Sequence, residues 1–301
     1  MIVVIGEILI DIFPHYERIG GAPFNFAYHL KKMGFPVRFF TRVGKDRHAK
    51  RILDRLRSTG FDLDDVQIDP VHPTGTVNVL LDESGVPHFD ICENVAWDHL
   101  DLDACRAAAA EDAEMIYFGS LVQRSEFGRR EVQNLLAKRG KGVAAFCDIN
   151  MRPPHVNFEA LSQSLGHADI LKLNEDELAV IQGDYKNQEA GDAPLSWLME
   201  TFDIRAVALT RGSRGSRLRF DGGRVEAPAQ AAETVIDTVG AGDGFAAVLA
   251  AGYLRSLPWE KTVDLASRFA SRICSIPGAV PDDAEFYNEL KVVMEGKRDG
   301  S

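Results

Sequence analysis

Asp237-Thr238-Val239-Gly240-Ala241-Gly242-Asp243-Gly244-Phe245 is the stretch on which the fold turns. The residues that follow it are apolar nearly all round: Ala246, Ala247, Val248, Leu249, Ala250, Ala251, Tyr253 and Leu254. A helix with no polar face belongs in the middle of a molecule. Its N-terminus therefore opens into an interior cleft. The two glycines ahead of it let backbone N–H groups approach a ligand closely. Those groups have no intrahelical partner, and the helix dipole favours negative charge beside them. The turn reads as an anion cradle, with Asp243 placed to accept a proton. Taken alone, the same residues describe equally well a glycine-rich turn with an aspartate helix cap.

Outward from this helix, short apolar runs alternate with amphipathic stretches. Ile2–Ile5, Arg38–Thr41, Met115–Phe118, Val143–Cys147, Ile170–Leu173 and Ala206–Leu209 read as strands buried on both faces. Phe24–Met33, Arg47–Arg57, Glu126–Lys138 and Glu175–Ile181 read as the helices between them, with Gly34, Gly60 and Gly140 as stops. The alternation predicts an α/β fold with a mostly parallel sheet covered by helices. Thr76–Leu81 and Val86–Ile91, joined by Asp82-Glu83-Ser84-Gly85, break the rhythm and read as a hairpin, either an edge embellishment or a lid.

The chain has 301 residues, enough for one large α/β domain or two small ones with a substantial core, and a net charge of −11. The acidic balance argues against nucleic acid or an anionic membrane as the main partner. Cys92, Cys105, Cys147 and Cys274 show no metal-ligand spacing and read as free thiols in a reducing compartment. Met1 to Ile12 is apolar but carries Glu7 and Asp11, which suits a buried first strand rather than a signal peptide or membrane span. A cytoplasmic single-domain enzyme, residues 1–301, is the expectation. No GxxxxGK[ST] loop occurs, and a dinucleotide fingerprint belongs in the first βαβ unit rather than this late in a chain.

Two motifs, far apart and in a fixed order, carry a resemblance. Asp237 to Phe245 resembles the DT-x-GAGD-x-F signature of the ribokinase-like, or PfkB-type, carbohydrate kinases. Gly20-Gly21-Ala22-Pro23-Phe24-Asn25-Phe26-Ala27, followed by Leu30 and Gly34, resembles that family's N-terminal signature. The likeness runs from Gly6-Glu7 and Asp11 to Gly278. It implies a three-layer α/β/α sandwich with a small β-sheet lid, contributed mainly by about 11–20 and 72–93. It also implies in-line transfer of the ATP γ-phosphoryl group, assisted by Mg2+, to a sugar hydroxyl.

By this resemblance Asp243 is the catalytic base, and the backbone of Gly240, Ala241 and Gly242 forms the anion hole. Asp11, Gly20, Gly21 and Asn25 match sugar-binding positions, although each is individually ordinary at a strand end, a turn or a first helical turn. Asn174 and Glu177 match an N-x-x-E element near magnesium and the phosphates, and equally a helix cap with acidic first-turn residues. Thr210, Gly212 and Gly215 match the T-x-G-x-x-G nucleotide loop. Ser275 to Gly278 falls near adenine and ribose. Arg152, in Asp148-Ile149-Asn150-Met151-Arg152, either neutralises sugar or phosphate charge or forms a surface ion pair. Asp237 matches the monovalent-cation (K+) site of some members, or simply accepts backbone N–H groups.

Gly21-Ala22-Pro23-x-Asn25 is similar to the form seen in fructokinases, which ranks fructose ahead of 2-keto-3-deoxygluconate and ribose as acceptor. Asn94-Val95-Ala96-Trp97-Asp98 departs from the usual wording after the lid, and Trp97 either packs against a sugar or fills core. A non-catalytic sugar- or nucleotide-binding relative is the competing reading, against which Asp243 and its glycines stand. A homodimer through the lid is expected, with a monomer whose edge is guarded by Asp82, Glu83 and Asp90 as the alternative.

Overall fold

A computed structural model of the chain describes residues 1–81, 87–102, 104–185, 191–230 and 234–295. The first third holds β1 (Ile2–Ile5), β2 (Leu9–Ile12), β3 (Glu17–Gly20), α1 (Ala22–Lys32), β4 (Val37–Val43), α2 (Arg47–Thr59), β5 (Val66–Ile68), β6 (Thr76–Leu81) and β7 (Pro87–Ile91). Next come α3 (Ala104–Glu111), β8 (Met115–Gly119), α4 (Glu126–Ala137), β9 (Ala144–Asp148), α5 (Phe158–His167), β10 (Ile170–Asn174), α6 (Glu175–Asp184) and α7 (Ala193–Phe202). The last third contributes β11 (Ala206–Thr210), β12 (Ser216–Phe220), β13 (Gly223–Ala227), α8 (Ala241–Leu254), α9 (Trp259–Ile273) and α10 (Asn288–Glu295).

Nine strands form the main sheet in the order β13-β12-β11-β10-β9-β8-β1-β4-β5. From β11 to β5 every neighbouring pair is parallel, and β12 and β13 complete one edge as an antiparallel hairpin. Side chains alternate across a strand, and here the alternation sorts residues into two cores. Ile2, Val4, Met115, Tyr117 and Phe146 pack with α1, α2, α8, α9 and α10. Val3, Ile5, Ile116, Phe118 and Cys147 pack with α3, α4, α5, α6 and α7. Helices on both faces of one sheet make the three layers, and the apolar strand runs follow from burial on both sides.

The expected strands are all present, within a residue or two at each end. Gly34 and Gly60 follow α1 and α2 in the left-handed region, at φ 89° and 81°. Gly140 is different. The helix before it ends at Ala137 and is capped by Lys138, and Gly140 is a glycine because a Cβ would lie 2.1 Å from Glu111 O. Its constraint is close approach, not a left-handed stop.

The hairpin is β6–β7, whose turn at 82–86 lies outside the described residues. It joins β2 and β3 in a separate sheet ordered β3-β2-β6-β7. This small sheet is mixed, because β2 and β6 pair in parallel while the outer pairs are antiparallel. Trp97 follows it and is fully buried, with the Arg124 guanidinium 4.1 Å from its ring centroid. The core role therefore holds for Trp97. Among the described residues, no helix is long and apolar enough to cross a membrane.

Candidate active site

Gly240 precedes α8 at φ 78°, and a Cβ there would lie 2.2 Å from the Ala279 Cβ. Only glycine allows the turn to pack against that loop. Asp243, in the first turn of α8, is 8% exposed. Its Oδ2 accepts a 2.8 Å hydrogen bond from Asn25 Nδ2, in the first turn of α1. The N-termini of two buried helices therefore meet at one carboxylate. Asn25 Oδ1 is buried and has no protein partner, which leaves an acceptor beside Asp243 for a ligand hydroxyl.

The floor beneath this turn comes from the ends of β9 and β10. Lys172 Nζ donates to Asp148 Oδ1 at 2.9 Å, and the Tyr117 hydroxyl donates to Asp148 Oδ2 at 3.3 Å. A Cβ on Gly242 would stand 3.1 Å from Lys172 Nζ, so the ammonium lies directly under the glycine turn. Burial, and then the charge of Asp148, push Asp243 up to about 6, against the opposing effects of Asn25, Lys172 and Arg152. A base with that pKa is mostly ionised near neutrality and close enough to it to accept a proton efficiently.

On the α1 side stand the expected sugar-binding positions. A Cβ on Gly20 would lie 2.4 Å from Asp11 Oδ2, and one on Gly21 (φ 109°) 2.6 Å from Glu7 O. Burial raises Asp11 to about 6, with Arg152 and Arg18 opposing. Arg152 is exposed, and among the described residues its Nη1 donates to the neighbouring Met151 O, at 3.0 Å. Its charge also lowers Glu7 and Asp243, so it looks into the same cleft. Asn150, two residues before Arg152, is left-handed at φ 44°, a conformation that asparagine adopts more readily than most residues.

Farther along the sheet edge, Asn174 and Thr210 are register partners at the ends of β10 and β11. Asn174 caps α6: its Oδ1 accepts from Glu177 N at 2.9 Å, and Glu177 Oε2 accepts from Asn174 N at 2.8 Å. Glu177 Oε1 accepts from Met151 N at 2.8 Å. Both carboxylate oxygens are thus committed to backbone, and the fit to magnesium is through ion-bound waters, which Mg2+ usually keeps. Gly212 (φ 55°) borders open space, whereas a Cβ on Gly215 (φ 84°) would lie 2.1 Å from Ala227 O. Gly212 leaves room for a ligand; Gly215 lets the turn pack. The Ser275 hydroxyl donates to Arg272 O at 2.7 Å, and exposed Ile236 and Val239 flank Asp237.

Four residues to which the sequence reading assigned no site role belong to this region. Lys172 had a usable signal, since a lysine inside a strand buried on both faces must be paired. Tyr117 and Glu7 had none beyond their apolar neighbours. Glu7 is 3% exposed, its Oε2 has no partner, and burial raises it to about 7. Arg18, on β3, reaches across to Asp237, a pairing of residues far apart in sequence that local pattern does not reveal.

A family model described as pfkB family carbohydrate kinase matches residues 1–285. A protein from Pyrococcus horikoshii described as an uncharacterized sugar kinase is 28% identical over 273 residues, covering 85% of this chain and 83% of that protein. Its structure with ATP superposes with a TM-score of 0.83 at 24% identity, covering 98% and 99% of the two chains. A fructokinase from Escherichia coli is 27% identical over 294 residues, covering 92% and 94%. The structure of a fructokinase double mutant from Vibrio cholerae, with fructose, ADP and potassium bound, has a TM-score of 0.80 at 23% identity and covers 95% and 97%.

Proposed function

The chain belongs to the pfkB family of carbohydrate kinases, and from that premise we propose that it transfers the γ-phosphoryl group of ATP to a hydroxymethyl group of a small sugar, fructose first. The observation that carries this reading is Asp243, a buried carboxylate held by Asn25 at the mouth of the glycine turn. A protein that only binds has no use for a base poised there.

The sugar lies against Asp11, Gly20, Gly21 and Asn25, with Asn25 Oδ1 taking one hydroxyl. Its reacting hydroxyl faces Asp243, which receives the proton as the oxygen–phosphorus bond forms. The bond from the γ-phosphorus to the β–γ bridging oxygen breaks, and ADP leaves with that electron pair. Backbone N–H groups of Gly240 and Gly242 bind the charge on the transferring group, whereas Ala241 N, expected beside them, donates to Thr238 O at 3.3 Å. Arg152 draws anionic groups into the cleft. Thr210, Gly212 and Ser275 border the nucleotide. Asn174 and Glu177 would hold a magnesium ion through its waters, and that ion would supply charge neutralisation on the phosphates. The small sheet serves as the lid, excluding water from the transferring group.

Fructose ranks first on the Gly-Ala-Pro-x-Asn wording and on the fructokinase relatives. A coupled ADP-release assay over fructose, ribose, 2-keto-3-deoxygluconate and other small sugars tests the assignment. Fructose should give the highest kcat/KM. A higher value for a sugar acid or an aldose would move the substrate while leaving the kinase reading in place. No turnover on the whole panel, together with tight sugar binding, would replace the kinase reading with that of a binding relative.

A further inference from the structure

The position matched to a monovalent-cation site already carries a cation made by the protein. Asp237 Oδ2 accepts hydrogen bonds from Arg18 Nη1 at 3.0 Å and from Gly278 N at 3.1 Å. Its Oδ1 accepts from Val239 N at 3.0 Å. The neighbouring carbonyls are committed as well: Thr238 O accepts from Ala241 N, and Cys274 O accepts from both Ile236 N and Asp237 N. A potassium ion needs several oxygens turned toward one point, and these are turned toward N–H groups and a guanidinium. The residues present do not fit an added monovalent cation. Among the described residues, no group of three or more His, Cys, Asp or Glu side chains gathers to hold a metal ion.

Arg18 is held for this task. It lies on β3, a strand of the small sheet, and its guanidinium carbon sits 4.8 Å from the Tyr16 ring centroid and 5.7 Å from that of Phe13. Those rings stack on one another at 4.4 Å, so the hairpin joining β2 and β3 forms an aromatic platform under the charge. Asp237 opens the segment that ends in the glycine turn and Asp243. A charge placed on Asp237 therefore steadies the approach to the anion hole, and through Arg18 it ties the small sheet to the segment that leads into α8.

We propose that Arg18 is the resident cation of the Asp237 site, a positioning residue that fixes the entry to the glycine turn and makes turnover independent of K+. This rests on the kinase reading above. The full chain and its Arg18→Met and Arg18→Lys variants would be assayed with MgATP and the best sugar of the panel. Chloride salts of K+ and of tetramethylammonium would be compared at equal ionic strength. Wild type and Arg18→Lys should differ between the salts by no more than about twofold, while Arg18→Met should lose about tenfold in tetramethylammonium and recover most of it in K+. Thermal melting without substrates provides a readout separate from activity: K+ should raise the midpoint of Arg18→Met and leave wild type unmoved. A wild type that needs K+ would overturn the assignment. So would an Arg18→Met variant indifferent to K+ in both assays. If wild type phosphorylates no sugar in either salt, the kinase reading fails, and the melting comparison alone decides the role of Arg18.

Discussion

Asp243 and Glu7 are two buried carboxyls a short distance apart, and their raised pKa values have different consequences. Asp243 must be ionised to accept a proton, so kcat should fall as pH drops through about 6, a limb that a rate–pH profile would display. Asp243→Ala should lower kcat by roughly 10²- to 10⁴-fold while ADP affinity, measured by calorimetry, stays within error of wild type. Retention of normal kcat in that variant would remove Asp243 from the chemistry. Glu7 bears on stability. Its folded pKa of about 7 exceeds the unfolded value of 4.5, so the folded state binds the extra proton. The charged form costs stability above pH 7, and that cost is relieved as pH falls from 7 toward 4.5. The full cost is roughly 3 kcal/mol at alkaline pH by linkage. Glu7→Gln should therefore melt several degrees above wild type at pH 8 and match it near pH 4.5. A constant difference at both pH values would show that ionisation is not the cause.

Adjacent strands β9 and β10 place Asp148 and Lys172 as a buried pair under the first turn of α8. Breaking a buried pair from one side leaves an uncompensated charge, so Lys172→Met should cost about 3–5 kcal/mol in urea unfolding. Removing both charges with Lys172→Met and Asp148→Asn should restore most of that stability. Because the ammonium lies under Gly242, kcat should remain low in the double variant; its recovery along with stability would make the pair purely structural. These elements also show what the sequence discloses. Strands buried on both faces are legible because apolar residues dominate them, with Lys172 a buried exception, and α8 is legible because it lacks a polar face. Asp237 to Asp243 and Gly20 to Asn25 could be read as halves of one site from motif wording alone. The Lys172–Asp148, Tyr117–Asp148 and Arg18–Asp237 contacts could not, because each depends on which strand ends and loops the topology makes neighbours. The small sheet was half legible. Its β6–β7 hairpin has a local signature, whereas the parallel pairing of β2 with β6 joins segments separated by more than sixty residues.

At the scale of the whole molecule, the two sheets meet along the cleft, and the chain passes between them at two glycines with little room to spare. Gly21 is the single residue between β3 and α1, at φ 109°. Gly75 precedes β6, where its carbonyl accepts from Ile10 N at 3.0 Å. A Cβ on Gly75 would stand 2.2 Å from Trp97 Nε1, and Trp97 is itself buried beneath Arg124. Gly75→Ala would therefore displace Trp97 and tilt the small sheet, which carries Asp11 on β2, away from Asn25 on α1. The strand ends bearing Asn174, Thr210 and Gly212 belong to the large sheet, so the nucleotide side should be undisturbed. The expected result is a sugar KM raised about tenfold or more, the scale on which a 1 Å misplacement acts, with ADP affinity unchanged by calorimetry. Equal losses for sugar and nucleotide would mean that the variant loosens the whole domain. An unchanged sugar KM would mean that the small sheet takes no part in holding the acceptor, and the lid role would go with it.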